Sequence, residues 1–403
     1  MKRNTLLVVV VAIVGFFLLF NPLKWFSRSS NVVSRPAATS AVVTPLLTYA
    51  QAHWRSPEDY VIDSFSRHDI VMLGEMYKIR QNVELVVGLV PRLYAAGIRN
   101  LGMEYALSDD QEQIDALVTA PAWDEAKARA LTFDWIVTWG YQEYVDIYKA
   151  AWQVNKDRPQ GASPFRIVGL SVRQDWELLK TDRDVSNPTI VAGIYAHGLP
   201  EVHFADTMNR EFTQKGQKAL VFCGTQHIFT RYHSTAYEKN AAQMKLADVR
   251  RAGNILYGRI GSRAWGGSLH SPWPDGTQKI GFGYPASGAI DALIDALPPD
   301  QQNAGWDLEG TPLGALSVRN SIYADGAATG SLADVFDGYI VQGPVSQYVT
   351  VTPIKDFIAP SQADTAMKNF PGVKPTTPQT ADQLNQLIAD DVTQFAKIFP
   401  QFK

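Results

Sequence analysis

The chain has 403 residues, 46% hydrophobic and 19% charged, the balance of a folded protein able to bury a large core. A formal net charge of -3, with no long Lys/Arg run, excludes an electrostatic footprint for nucleic acid. The single cysteine, Cys223, excludes an intramolecular disulfide and a Cys-rich zinc site, and its apolar surroundings mark it as a buried, inert thiol.

Lys2 and Arg3 precede an uncharged run over residues 6–20, followed by Pro22, Lys24 and Trp25. An apolar run of about 15 residues suits a signal-peptide core, and continuing it to Trp25 approaches the ~20 residues a membrane span needs. No small-x-small cleavage site follows directly; the nearest lies in Ala37-Ala38-Thr39-Ser40-Ala41. Residues 1–26 are therefore read as an uncleaved signal anchor, with a cleaved secretory peptide as the other reading. Residues 27–44 are read as a linker and residues 45–403 as one α/β domain. The membrane is then a partner through the N-terminal segment, and the localisation is a single-pass cell-membrane protein. Its main domain lies outside the cytoplasm, in the periplasm of a Gram-negative cell; cleavage would give a secreted form.

The domain opens with a helical stretch near residues 45–66. An apolar strand, residues 70–73, stops at Gly74-Glu75. A helix follows in which Val83, Val86, Val87, Val90, Leu93 and Tyr94 share a face, with Gly97 placed to end it. A second strand, residues 101–103, runs into Glu104. Together these read as a βαβ unit whose strands each end in a carboxylate, and ligand crevices of parallel sheets lie beyond such strand ends. Ser108 caps a helical insertion that reaches about residue 157. Trp123, Phe133, Trp135, Trp139, Tyr141, Tyr144, Tyr148 and Trp152 suit either a packed helical layer or the wall of a pocket.

A third strand, residues 165–170, ends at Ser171-Val172-Arg173. A helix over 204–215 leads to a fourth strand, 218–224, that runs into Thr225-Gln226-His227. Residues 237–251 read as helix and 255–260 as a fifth strand. The glycine- and tryptophan-rich stretch 261–285, which holds Arg263 and His270, reads as a functional loop. A short helix (286–297), a final strand (336–342), an irregular stretch (344–375) and an amphipathic helix through Leu384, Leu387, Ile388, Val392, Phe395 and Phe399 complete the chain. The expected fold class is α/β: a mainly parallel sheet flanked by helices, with a long helical insertion and an N-terminal membrane segment.

No nucleophile elbow, Walker loop, dinucleotide fingerprint, H-E-x-x-H or C-x-x-C occurs. What remains is Glu75, Glu104 and His227 at strand ends. These residue types suit activation of a water by a general base, or binding of a divalent metal by oxygen and nitrogen ligands. Tyr77, Arg80, Arg173, Arg263 and His270 are the candidate substrate- or ligand-binding residues around them.

Gly74-Glu75, Leu101-Gly102-Met103-Glu104, Ile167 to Gln174, Gly224-Thr225-Gln226-His227-Ile228 and Asp337-Gly338-Tyr339-Ile340 resemble, in order and placement, the motif series of the erythromycin-esterase/ChaN-like superfamily, related to Tiki and TraB. The resemblance implies one of three activities: a hydrolase with a Glu/His-activated water, a metal-dependent peptidase, or a haem- or iron-binding envelope protein with Tyr77 or His227 as axial ligand. It assigns Glu75, Glu104 and His227 to the site. The chain departs from the pattern at Tyr77-Lys78, where the family places a histidine. It departs again at Gly224, where the esterase branch has another, and at Ser171, where the family has an aspartate. A catalytically inactive binding module on the same scaffold is the remaining reading. The sequence leaves the oligomeric state open.

Overall fold

The computed structural model describes residues 33–402 except 182–183, 185–186, 244–245, 275–280 and 373–376. The expected signal anchor, residues 1–26, lies outside the described residues, as do residues 27–32 of the linker. Among the described residues no helix is long and apolar enough to cross a membrane. Val33 bridges to Phe402, and helix α1 (Ser40–Ala52) begins inside the stretch read as linker, followed by α2 (Pro57–Ser64).

Seven strands form one sheet: β1 (Ile70–Glu75), β2 (Asn100–Leu107), β3 (Arg166–Ser171), β4 (Ala219–Gly224), β5 (Ala264–Leu269), β8 (Asn303–Asp307) and β9 (Gly338–Gln342). A separate two-stranded hairpin is made by β6 (Trp273–Pro274) and β7 (Phe282–Gly283). The order across the sheet is β3-β2-β4-β1-β5-β9-β8, parallel except for the β8/β9 edge. The expected α/β architecture is thus present. The opening βαβ unit needs a correction, because β4 separates its two strands. That arrangement puts β4 between the strands that carry Glu75 and Glu104, and brings His227, just past β4, to the same edge.

Helix α3 (Arg80–Ala95) joins β1 to β2 and buries Val83, Val86, Leu89, Val90 and Leu93. Gly97 follows it with φ +83°, a conformation that costs glycine little. The aromatic insertion is three helices, α4 (Gln111–Val118), α5 (Glu125–Trp135) and α6 (Gln142–Lys156). Then come α7 (Pro188–Ile194), α8 (Pro200–Glu211) and α9 (Thr235–Gln243).

The expected fifth strand over 255–260 is instead part of helix α10 (Ala252–Ile260). A short buried apolar run does not distinguish strand from buried helix by periodicity, and the deciding contact is local: Asn254 Oδ1 accepts from the Arg251 backbone N–H over 3.1 Å and starts the helix. The true fifth strand, β5, lies in the stretch read as a loop. Its Gly266 disguises it, yet the residue is required there because an added Cβ would run into the Ile228 carbonyl oxygen. Helix α9 also ends earlier than expected, at Gln243. The chain continues through α11 (Ala289–Ala296), α12 (Ala363–Lys368) and α13 (Ala381–Phe395).

Part of the stretch read as irregular is a strap. Arg80 N donates to Val349 O, Val351 N to Lys78 O, Gln142 N to Thr352 O, and Ile354 N to Gly140 O. These bonds lash the turn after β1 to the turn before α6.

Candidate functional site

Strand alternation decides where the two glutamates face. Val71 and Leu73 of β1 pack in one core layer with Leu101, Met103 and Tyr105 of β2, whereas Ile70 and Met72 pack in the other. Glu75 is in phase with Leu73; Glu104 is out of phase with Met103. The carboxylates therefore leave the sheet on opposite faces, and Glu104 is not at its strand's end, because β2 continues to Leu107.

Glu75 is completely buried. Its Oε1 accepts from the hydroxyls of Tyr105 and Tyr144, the latter at 2.8 Å, while Oε2 has no hydrogen-bond partner. Burial, aided by the charge of Glu104, pushes its pKa well above the usual carboxylate range against the pull of the two tyrosines. Burial thus favours the neutral form of Glu75, which lies sealed under aromatic rings.

Glu104 is 3% exposed and faces a cavity of about 100 Å³. Its Oε2 accepts from Gly224 N at 2.7 Å, and its Oε1 from Tyr77 Oη at 2.9 Å. Tyr77 rounds the end of β1 to make that bond. Its hydroxyl fills the space in which a Cβ at position 224 would sit. The two departures from the family pattern at Tyr77 and Gly224 are thus one steric arrangement. Burial and the adjacent Glu104 raise the Tyr77 phenol well above its ordinary value, so it stays a donor.

His227 lies in a 3-10 turn (Thr225–His227) directly after β4. Its Nδ1 is 3.0 Å from Glu201 Oε2 and its Nε2 is 3.5 Å from Glu104 Oε1. Burial opposes the charged form, but the two carboxylates outweigh it and push the imidazole pKa up to about 10. Glu201, from the first turn of α8, also accepts from Arg251 Nη1 at 2.5 Å and from Ala252 N at 2.7 Å, at the N-terminus of α10. Burial raises its pKa, but His227 and Arg251 more than reverse that and take it down to about 2. Arg251 completes the row. It donates to Gln226 Oε1 and lies over the Tyr237 ring at 3.4 Å.

Around this row the cavity wall includes Ser171, Gln174, Trp176, Tyr195 and Asp248. Trp135 and Ile136 also border it, so the aromatic insertion is mostly a packed layer with one edge on the pocket. The sequence reading missed Glu201 and Arg251. The signal available for Glu201 was an acidic residue after Pro200 at a helix start; Arg251, beside Arg250, offered none.

The other candidates are elsewhere. Arg80 pairs with Glu143 at 3.1 Å and donates to Thr352. Arg263 pairs with Asp69 at 3.0 Å, and both precede their strands, at the opposite edge of the sheet. His270 is fully buried between Tyr339 Oη (2.9 Å) and Asp291 Oδ2 (3.5 Å). Arg173 is exposed and acts electrostatically on Asp110 and Asp134. Cys223 is buried as expected, and burial raises its thiol pKa.

The residues as placed do not fit a divalent metal. Each oxygen of Glu104 accepts from an N–H or O–H donor, His227 lies between two carboxylates, and Glu75 faces away. Among the described residues no group of three or more His, Cys, Asp and Glu is arranged to hold a metal ion. Haem does not fit them either. Tyr77 and His227 are both committed as donors, and the cavity is small beside the roughly 300–1,000 Å³ of ordinary ligand sites.

No family model matches the chain, and no curated protein matches it in sequence. Among solved structures, a succinoglycan biosynthesis protein aligns with TM-score 0.52 and 11% identity, over 79% of this chain and 100% of that one. An erythromycin esterase mutant in its open conformation aligns with TM-score 0.44 and 10% identity, over 80% of this chain and 98% of that one. ChaN of Campylobacter jejuni, described with cofacial haem binding, aligns with TM-score 0.34 and 12% identity, over 52% and 85%. At 11% identity the succinoglycan biosynthesis protein shows the fold alone, an α/β architecture of the kind expected from the sequence.

Two predictions test the geometry. Lys78, beside Tyr77, is buried with φ +68° and bonds Asp391 of α13, which also accepts from Tyr141 Oη at 2.8 Å. Asp391→Ala removes the carboxylate from that buried pair and is expected to cost about 3–5 kcal/mol in chemical denaturation; a loss under about 1 kcal/mol would contradict a buried pair. Gly224→Ala is expected to cost about 1–3 kcal/mol by overpacking against Tyr77, and distinctly less in a Tyr77→Leu background. Additive costs in that cycle would refute the contact.

Proposed function

We propose that the protein is a small-molecule-binding member of this fold, whose site offers a ligand hydrogen bonds from a fixed imidazolium rather than a base that activates water. The observation that carries this reading is that both ring nitrogens of His227 face carboxylates, Glu201 at 3.0 Å and Glu104 at 3.5 Å. A general base needs a lone pair at working pH, and an imidazole with a pKa near 10 has none. Tyr77, standing where the resemblance implies a histidine, is a donor to Glu104, and Glu75 does not reach the cavity.

A hydrolase on this scaffold would use His227 differently. Its side chain is the most open of the charged row, at 16%, so it can act as a general acid toward a leaving group. In either reading His227 and Glu104 are the residues that meet the ligand, with Glu201 and Arg251 holding them.

The pH dependence follows from the two shifted groups. His227 has a raised folded-state pKa, so its contribution to stability is full below about 6.5 and is lost as pH rises toward 10. Glu201 has a depressed one, so its contribution is full above about 4.5 and is lost as pH falls toward 2. The thermal midpoint is expected to decline on both sides of that window, and His227→Gln should flatten the alkaline limb. Nitrogen NMR of the His227 ring should show both nitrogens protonated at pH 8; a titration midpoint near 6.5 would sink the proposal.

We further propose that residues 1–26 anchor the chain with its domain outside the cytoplasm, supported by Lys2 and Arg3 ahead of the uncharged run over 6–20. The full chain should then stay in the membrane pellet after an alkaline carbonate wash and be digested by protease added outside the membrane. Release into the wash, or protection from the protease, would count against it.

A further inference from the structure

We propose that the cavity selects an uncharged ligand end bearing hydroxyl or carbonyl oxygens and rejects groups with a net charge; this rests on the ligand-binding reading above. The wall carries its charges as an alternating row. Glu104 faces His227 at 3.5 Å, His227 faces Glu201 at 3.0 Å, and Glu201 faces Arg251 at 2.5 Å. Two carboxylates and two cations sum to zero, and each has its counter-charge inside the row.

Each also makes further hydrogen bonds to neutral groups. Gly224 N and Tyr77 Oη serve Glu104, Ala252 N serves Glu201, and Gln226 Oε1 serves Arg251. The remaining acid at the cavity, Asp248, is held by Arg250 at 2.6 Å. An entering carboxylate or ammonium would lose its water and find no unpaired opposite charge to replace it. A neutral oxygen group escapes that penalty. It can accept from the Nε2–H of His227, whose approach to Glu104 is long at 3.5 Å, and donate to second lone pairs of the carboxylates. Trp176, Tyr195 and Tyr237 supply apolar faces for the carbon skeleton behind it. The volume, about 100 Å³, admits one end of a ligand rather than a whole large molecule.

Three probes of similar size and different charge separate the cases: acetamide, acetate and isopropylammonium. Each is titrated into the full chain while the His227 ring and Arg251 guanidinium N–H resonances are followed. Acetamide is expected to shift them saturably, with the charged probes at least about tenfold weaker. The charge argument also predicts inversions. Glu201→Gln leaves the row with an excess positive charge and should favour acetate. His227→Gln leaves an excess negative charge, should favour isopropylammonium, and is read from the Arg251 signals. The opposite signs keep the test decisive if one variant fails to fold. Acetate or isopropylammonium matching acetamide on the unaltered protein would overturn the charge inference and leave the pocket reading standing. No response to any probe would overturn both.

Discussion

The hydroxyl of Tyr77 is the point on which the site turns. It fills the space beside Gly224 and donates to Glu104, so β1, β2 and β4 are linked through one phenol. Because it is a donor, it fixes Glu104 as an acceptor on that side. Glu104 in turn faces His227, which Glu201 holds from the far side. The same ring also seals the other face of the sheet, with its edge packed near Tyr105 and Trp139 above Glu75. A histidine at this position would be smaller and could leave a basic nitrogen near the same carboxylate. The tyrosine instead commits the arrangement to donors and acceptors that are already matched.

Holding that phenol in place takes structure from far along the chain. The turn after β1 puts Lys78 in the left-handed region, where a non-glycine residue costs roughly 1–3 kcal/mol. The surroundings hold it there in two ways. Asp391 of α13 binds the ammonium, with the Trp139 and Tyr141 rings 5.3 and 5.6 Å away. The backbone of Lys78 is bonded at both its N–H, to Tyr144 Oη, and its carbonyl, by Val351 N. Tyr144 then donates to Glu75. The C-terminal helix and the 349–354 strap thus act on the site without touching its cavity.

Much of this was legible in the sequence and some was not, for reasons that can be named. The first four strands and their helices were readable because apolar runs ended in glycine or in polar residues, and the motif order resembled that of a known superfamily. Strand β5 was not, because Gly266 and Gly267 are there for close backbone and ring packing, and glycines read as loop. Helix α10 was mistaken for a strand because its buried face is as apolar as a sheet's. The pairing of Glu75 with Glu104 failed on parity. Each glutamate follows an apolar strand, but one is in phase with that strand's Leu73 and the other out of phase with Met103. Glu201 and Arg251 lay beyond reach because their role depends on the packing of α8 against α10, which no local pattern announces.

The parity difference also gives the two glutamates separate chemistry. Glu75 sits among rings with one oxygen unpartnered, and the cheapest state for such a carboxyl is the protonated one. Glu104, on the opposite face, meets an N–H, a phenol and an imidazolium. A pair of carboxylates sharing one pocket could have divided acid and base roles between them. Separated by the sheet, they cannot. At the cavity the two carboxylates that His227 faces favour the charged form of its ring.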